Sequence, residues 1–327
     1  MRLPASLTIL LPLALLASRI EAEAGDGAAA PGVTKVSTLY YGPYAFPVPD
    51  QLDGRIHRGL SAELSGDVVA GRIGGKGAAD WTYAPTFRLS VPLWTDRATF
   101  SVWGELHEFY ADTPAARAAR GIPAGAYPLQ GNDSGNLYFG IELQLLKERD
   151  YVPSVALRAS TLSATGDDSE VARHYDAPGY FFDLSAGKSF KVGRTGDIRL
   201  SATAGFVCWQ IGKGTQNDAL LLGAKLAYTC GSASLTVEYG QYSGRERKPA
   251  IAQGTESGDS PQTLKSRLDL HFGAFSPFIY VQYGLRDWPF TQFRLGLAWN
   301  FDLLGHLREN RGTKDRQHGF CSKTTTY

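Results

Sequence analysis

Residues 292–303, Gln-Phe-Arg-Leu-Gly-Leu-Ala-Trp-Asn-Phe-Asp-Leu, constrain the fold more than any other stretch. Successive side chains of a strand point to opposite faces. Phe293, Leu295, Leu297, Trp299 and Phe301 therefore share one face, and Arg294, Gly296, Ala298 and Asn300 share the other. A strand apolar along one whole face and polar along the other suits a closed sheet with lipid outside and a polar interior. The same period of two recurs in Phe87/Leu89/Val91/Leu93, Leu137/Phe139/Ile141/Leu143/Leu145, Ile198/Leu200/Ala202/Ala204/Phe206, Leu220/Leu222/Ala224/Leu226 and Leu264/Leu268/Leu270/Phe272.

Strands are expected at roughly 57–68, 85–94, 98–109, 136–147, 152–163, 179–191, 198–210, 219–229, 234–243, 264–273, 278–287 and 292–302. Most are near the ~9–11 residues that cross a bilayer at a tilt. A soluble sandwich would alternate in the same way. It would not sort its connections, whereas here long and short ones alternate until the last, as extracellular loops and periplasmic turns do. Aromatic residues gather near the strand ends, with Trp94, Tyr151, Phe190, Phe278, Trp299 and Phe301 at one level. Trp81, Tyr83, Phe109, Tyr110, Tyr180, Trp209, Tyr239, Trp288 and Phe293 lie at the other. Two belts fit two lipid–water interfaces. The expected fold is all-β, a transmembrane up-and-down antiparallel β-barrel of about twelve strands over residues 55–303. An even strand count returns the chain to its starting side, so both termini are expected in the periplasm.

Residues 1–24 read as a secretory signal peptide: Arg2, an apolar run from Leu7 to Ala17, and the small-x-small Ala22-Glu23-Ala24. Residues 25–54 form a lead with the phrase Tyr40-Tyr41-Gly42-Pro43-Tyr44-Ala45-Phe46-Pro47-Val48-Pro49, whose prolines forbid a helix and break any ladder. Its four aromatics are too many for a solvated periplasmic strand of chain, and it is expected to pack against or inside the barrel as a plug. Residues 304–327 read as a disordered periplasmic tail. Cys208 and Cys230 flank one strand and stand too far apart to bridge. A formal net charge of +1 without a basic cluster gives no footprint for nucleic acid.

The polar face of each strand supplies the candidate lumen. It carries Glu63, Asp67, Glu105, Glu142, Asp183, Glu238 and Asp269 against Arg88, Arg158, Arg199, Lys225, Lys265, Arg267 and Arg294, seven acids facing seven bases. A lumen selecting one ion sign would favour one charge, so balance points to paired charges filling the bore, with a narrow pore as the alternative. His107 is expected in the lumen beside Glu105, and His271 beside Asp269. An enzyme would need a nucleophile, a base and an orienting acid within reach. No serine stands out beside either histidine, so no catalytic residue is assigned. The histidines show no metal-ligand spacing, and neither metal nor cofactor is expected. The Gly166–Glu170 and Gly131–Ser134 turns lack the register of a calcium loop.

Arg294-x-Gly296-x-x-Trp299-x-Phe301 resembles the C-terminal signal by which bacterial outer-membrane barrels are recognised by their assembly machinery. Residues 39–303 as a whole resemble a group of uncharacterised porin-like outer-membrane proteins, through the 40–49 phrase, Tyr-Asp-Ala-Pro-Gly-Tyr-Phe-Phe-Asp at 175–183 and Trp-Pro-Phe-Thr-Gln-Phe-Arg-Leu-Gly at 288–296. The resemblance implies a Gram-negative outer-membrane barrel with lipid and the assembly machinery as partners. The expected function is a narrow passive diffusion channel for a small solute, or a structural surface barrel. The 110–135 and 244–263 loops and the 39–50 segment are candidate gates. A lipid-modifying enzyme using His107 or His271, and an adhesin or receptor acting through the long loops, are the alternatives.

Overall fold

The computed structural model describes residues 41–57, 59–93, 96–122, 124–125, 127–163, 165–166, 173–174, 178–210, 216–244 and 260–301. The expected signal peptide, the first part of the lead, the tail, Trp94 and the 167–170 turn lie outside these residues.

Fourteen strand segments follow in order: β1 (Leu60–Gly71), β2 (Asp80–Pro92), β3 (Ala98–Glu105), β4 (His107–Asp112), β5 (Gln130–Ser134), β6 (Leu137–Leu146), β7 (Ser154–Ser163), β8 (Gly179–Val192), β9 (Gly196–Gln210), β10 (Gln216–Cys230), β11 (Ala233–Gly244), β12 (Gln262–Leu270), β13 (Phe275–Arg286) and β14 (Phe290–Phe301). One short helix, α1 (Pro114–Arg120), lies between β4 and β5. β3 and β4 are two halves of one crossing, and so are β5 and β6, so the segments make twelve antiparallel crossings. The sheet closes because β1 pairs with both β14 (Leu60↔Phe301 to Gly71↔Phe290) and β2 (Ser61↔Ser90 to Ala70↔Trp81). In hydrocarbon an unpaired backbone amide has no partner, so closure is the condition for crossing lipid with strands.

The mouth holding Leu60 and Phe301 is here the lower one. Its turns are short, at 193–195, 231–232 and 271–274, whereas the upper mouth carries 113–129, 164–178 and 245–261. The sorting weakens at 211–215 and 287–289, both short upper connections. Most strands run further than expected, and β2 begins at Asp80, so the first upper connection is correspondingly brief. At the start the reverse holds: β1 begins at Leu60, and residues 55–57 belong to the lead, Ile56 N and His57 O bonding to the Gln144 and Thr99 side chains of the bore.

The outer face is apolar around the circumference. Leu64, Leu89, Ile141, Leu184, Phe206, Leu226, Leu235, Leu268, Ile279 and Leu295 are all exposed there. An apolar belt of this extent far exceeds the few hundred Å² that a water-soluble monomer shows. On β14 the outward face is the expected one: Phe293, Leu295, Leu297 and Trp299 are exposed, and Trp299 stacks on Phe275 at 5.7 Å. Gly296 faces inward, where a Cβ would collide with the Phe278 ring and Ser65.

Several aromatics expected in the interfacial belts point inward instead: Tyr110, Trp209, Phe278 and Trp288 are buried. Proximity to a strand end does not fix the face. Tyr110 and His107 are displaced by a bulge. Thr86 pairs with Glu105 but Tyr83 pairs with Phe109, so four steps on one strand oppose three on the other. An extra residue reverses which side each following residue faces. Beyond Leu106, Glu108, Tyr110 and Asp112 turn inward and are buried, while Phe109 is exposed outside.

A charge at the middle of the outer face meets lipid. Leu295→Arg is expected to destabilise the barrel by about 2–4 kcal/mol in urea unfolding from bilayers, and Ser65→Ala, on the inner face, by much less.

Candidate functional site

The candidate site is the bore together with the segment 41–57 that crosses it. Pro43, Pro47 and Pro49 lack an N–H; Pro43 stands in a turn closed by Ala45 N donating to Gly42 O at 3.3 Å, and 47–53 runs on without a turn. Such a chain cannot join a ladder at those positions, and its carbonyls outnumber its amides. Donors project from the walls to meet them. The segment starts under the upper mouth, where Gly42 N donates to Arg173 O at 3.0 Å and Trp288 Nε1 to Pro43 O at 3.1 Å. Tyr242 Oη then donates to Phe46 O at 3.1 Å, and Lys265 Nζ to Val48 O at 2.9 Å. Below these, Arg158 donates to Asp50 O at 2.7 Å, Lys225 to Gln51 O, Thr203 to Leu52 O at 3.3 Å, Arg199 to Asp53 O and Gln144 to Gly54 O at 2.8 Å. With Gln51 bonding Pro49 O at 2.8 Å, each carbonyl from Val48 to Gly54 has a side-chain donor. Thr99 donates to His57 O at the lower mouth.

Apolar contact holds the upper half of the segment. Tyr41, Ala45, Phe46 and Val48 are buried in one cluster with Tyr138, Leu162, Phe181, Val207, Trp209, Leu221 and Tyr242. Burying one such side chain contributes about 1.5–3 kcal/mol. Small wall residues leave room lower down: a Cβ on Gly223 would collide with Gln51, and one on Gly187 with Asp53 O.

Most wall charges are paired. Arg267 meets Glu63 at 3.1 Å and Asp269 at 2.8 Å, and Arg294 meets Asp67 at 2.6 Å. Arg158 meets Asp183 at 2.7 Å. Lys225 and Lys265 share Glu238 at 2.9 and 3.2 Å. Arg199 bridges Glu148 at 2.8 Å and Asp53 at 2.9 Å. Arg88 lies over the Trp103 ring at 4.6 Å and 3.9 Å from Asp50. Glu142 is buried opposite Arg158 in register, and Glu105 is buried high in the bore. Glu148, in the lower 147–153 turn, has its carboxyl at about 2. Its partial burial favours the neutral form, but the Ser189 amide and the Arg55 and Arg199 guanidinium groups outweigh it. This anchor is therefore present above the ordinary carboxylate range and is lost as pH falls towards 2.

His107 does not face the bore. The bulge turns it outward, where its ring meets Phe109 at 4.9 Å and Nε2 meets Asn132 Oδ1 at 3.1 Å. His271 sits at the lower rim with Ser234 Oγ and Ser276 Oγ each 2.9 Å from a ring nitrogen, while Asp269 bonds Arg267. Serines do stand beside it, contrary to expectation. With both nitrogens meeting hydroxyls, no carboxylate orients the ring as a Ser–His–acid constellation requires.

Sequence reasoning missed the upper mouth. Asp80, Glu108, Asp112 and Asp133 converge there, all buried. Arg173 reaches from the 164–178 connection to Glu108 and, at 3.6 Å each, to Asp80 and Asp112. Arg120 meets Asp80 at 2.9 Å and Arg117 meets Asp112 at 3.2 Å, both from α1, which Thr113 caps. His174 Nδ1 is 3.1 Å from Asp133. The one available signal was the pairing of Arg117 and Arg120 at helical spacing after a Thr-Pro start.

No protein-family model and no curated protein matches the chain. Among solved structures, an outer membrane channel from Pseudomonas putida F1 matches with a TM-score of 0.51 at 16% identity, covering 77% of this chain and 100% of that one. The barrel has the fold of outer-membrane channels. The transport unit of the autotransporter AIDA-I from Escherichia coli matches with a TM-score of 0.47 at 10% identity, over 77% of this chain and 93% of its own. LpxR from Salmonella typhimurium matches with 0.44 at 9%, over 74% and 100%.

Burial alone would lower the His174 pKa, but the Asp133 hydrogen bond and the Glu108 and Glu105 carboxylates raise it above the ordinary histidine value. A raised folded-state pKa stabilises below the unfolded value and is lost as pH rises through the folded one. Hydrogen exchange at the Gly42 amide is therefore expected to speed up as pH rises past the ordinary histidine range, after correction for intrinsic exchange. His174→Gln should abolish that step.

Proposed function

We propose that the chain is a Gram-negative outer-membrane barrel acting as a narrow diffusion channel for small solutes, with the 41–57 segment as its internal gate. The observation that carries this is the way the segment is held. It crosses a closed barrel with an apolar exterior, and side chains of the wall bind its carbonyls while the sheet takes no part. A bore of twelve strands is wider than one that side chains alone can fill. Beside the segment remains a cavity of about 100 Å³, lined by Arg88, Trp103, Tyr280 and Arg294 among others, which is room for a few waters. Solute passage then requires the segment to move. The lower mouth, with its short turns, faces the periplasm in this reading, and Tyr41 reaches the extracellular mouth. Lipid covers the outer belt, and Arg294, Gly296, Trp299 and Phe301 of the closing strand meet the assembly machinery.

Planar-bilayer recording tests the gate. Gly223→Leu places a side chain where Gln51 lies and is expected to raise the time spent open several-fold over the unaltered chain. Deleting residues 41–52 should give long-lived ohmic steps. If the deleted and full chains both insert and neither conducts above the bare bilayer, the channel reading falls.

A further inference from the structure

The 41–57 segment carries two acids, and they meet different parts of the wall. Asp53 meets Arg199 low in the bore at 2.9 Å. Asp50 sits at mid-height, with Lys265 2.6 Å and Arg88 3.9 Å from its carboxylate and Arg158 2.7 Å from its carbonyl. These three bases come from β12, β2 and β7, separate parts of the wall, and converge on a residue that is not part of it. Two of them also hold a wall carboxylate, and Arg88 does not. Asp183 serves Arg158, and Glu238 is divided between Lys225 and Lys265. Among the described residues Asp50 is the one carboxylate within ion-pair distance of Arg88.

The place is also open to a ligand. The Asp50 side chain keeps half its surface free and faces the cavity of about 100 Å³, whose walls include Trp103, Phe181 and Tyr280. Its neighbours Val48 and Pro49 are apolar. Charge-assisted bonds to a carboxylate, with flat apolar surface beside them, select an acid group on a short apolar stem.

We propose that Arg88, Arg158 and Lys265 form a carboxylate-binding site inside the bore, which Asp50 fills when the segment is in place. Small monocarboxylates compete with Asp50 for it. That their binding favours the open channel rests on the channel reading above; the site itself does not. A tethered ligand acts at an effective concentration in the millimolar range or higher, so a free carboxylate binds the unaltered chain weakly and binds tightly once Asp50 is neutralised.

The test uses the full chain folded in detergent, titrated calorimetrically with sodium propionate against sodium chloride at matched ionic strength. Asp50→Asn is expected to bind propionate saturably, about tenfold or more tightly than the unaltered chain. Adding Lys265→Gln or Arg88→Gln to Asp50→Asn should reverse most of that gain. In planar bilayers, propionate should raise the open time of the unaltered chain and leave Asp50→Asn unchanged. The proposal is overturned if folded Asp50→Asn shows no saturable propionate binding, or binds equally well without Lys265 and Arg88. Should Asp50→Asn not fold, the unaltered chain titrated to high propionate decides, and a response no different from chloride overturns the site. Binding without conductance in any variant supports the site and removes the channel; conductance without binding does the opposite.

Discussion

The sheet must close, because an amide facing hydrocarbon has no water to bond. Closure sends the apolar side of the crossings outward and leaves most of the polar side chains facing inward. At twelve crossings the bore is too wide for side chains from opposite walls to fill it, yet a charge buried without a partner is costly. Neighbouring strands solve part of this, as with Arg158 and Asp183 or Arg294 and Asp67. The axis is left over, and the 41–57 segment occupies it. Its run of carbonyls gives the inward-pointing Lys and Arg groups second partners that the wall alone does not supply.

Proline makes this work in one direction. Each proline removes an amide and keeps a carbonyl, which suits the donors that Lys265, Arg158, Lys225, Arg199 and Gln144 project into the bore. Several of its amides have acceptors of their own: Gly42 at Arg173 O, Gly54 at Ser185 Oγ and Ile56 at Gln144 Oε1. Gln144 serves both sides, since its Nε2 also donates to Gly54 O. The lead and the barrel are matched in hydrogen-bonding polarity as well as in shape.

The barrel was legible in the sequence because a period of two over many strands is a local pattern, and β14 displays it in full. The inward position of Glu63, Asp67 and Arg267 follows from the same counting. The counting fails at Leu106. An extra residue in one strand leaves no mark in the composition of that strand, and every inference past it changes face: His107 moves out and Glu108 moves in. Arg173 and His174 were illegible for another reason, since a residue in a connection has no periodicity and its partners are brought to it by strands distant in sequence. The lead was half legible. Three prolines and four aromatics exclude a ladder and argue for burial, but which carbonyl meets which base depends on the register of the whole barrel.

That register also determines how the segment can move. Its upper half is held by apolar contact, which tolerates small displacements, and its lower half by donors fixed on a rigid wall. An extended chain advances about 3.1 Å per residue, whereas a hydrogen bond survives a displacement of only a few tenths of an ångström. Sliding by one residue would therefore break the bonds to Val48, Asp50, Gln51, Leu52, Asp53 and Gly54 together, and would drive Gln51 away from the space that Gly223 leaves for it. Intermediate positions keep the apolar contacts but cost Arg158, Lys225, Lys265 and Arg199 their carbonyl partners and Arg88 its carboxylate. In the proposed channel the segment is accordingly either seated or withdrawn, and whatever neutralises the mid-bore bases in the withdrawn arrangement sets the balance between the two.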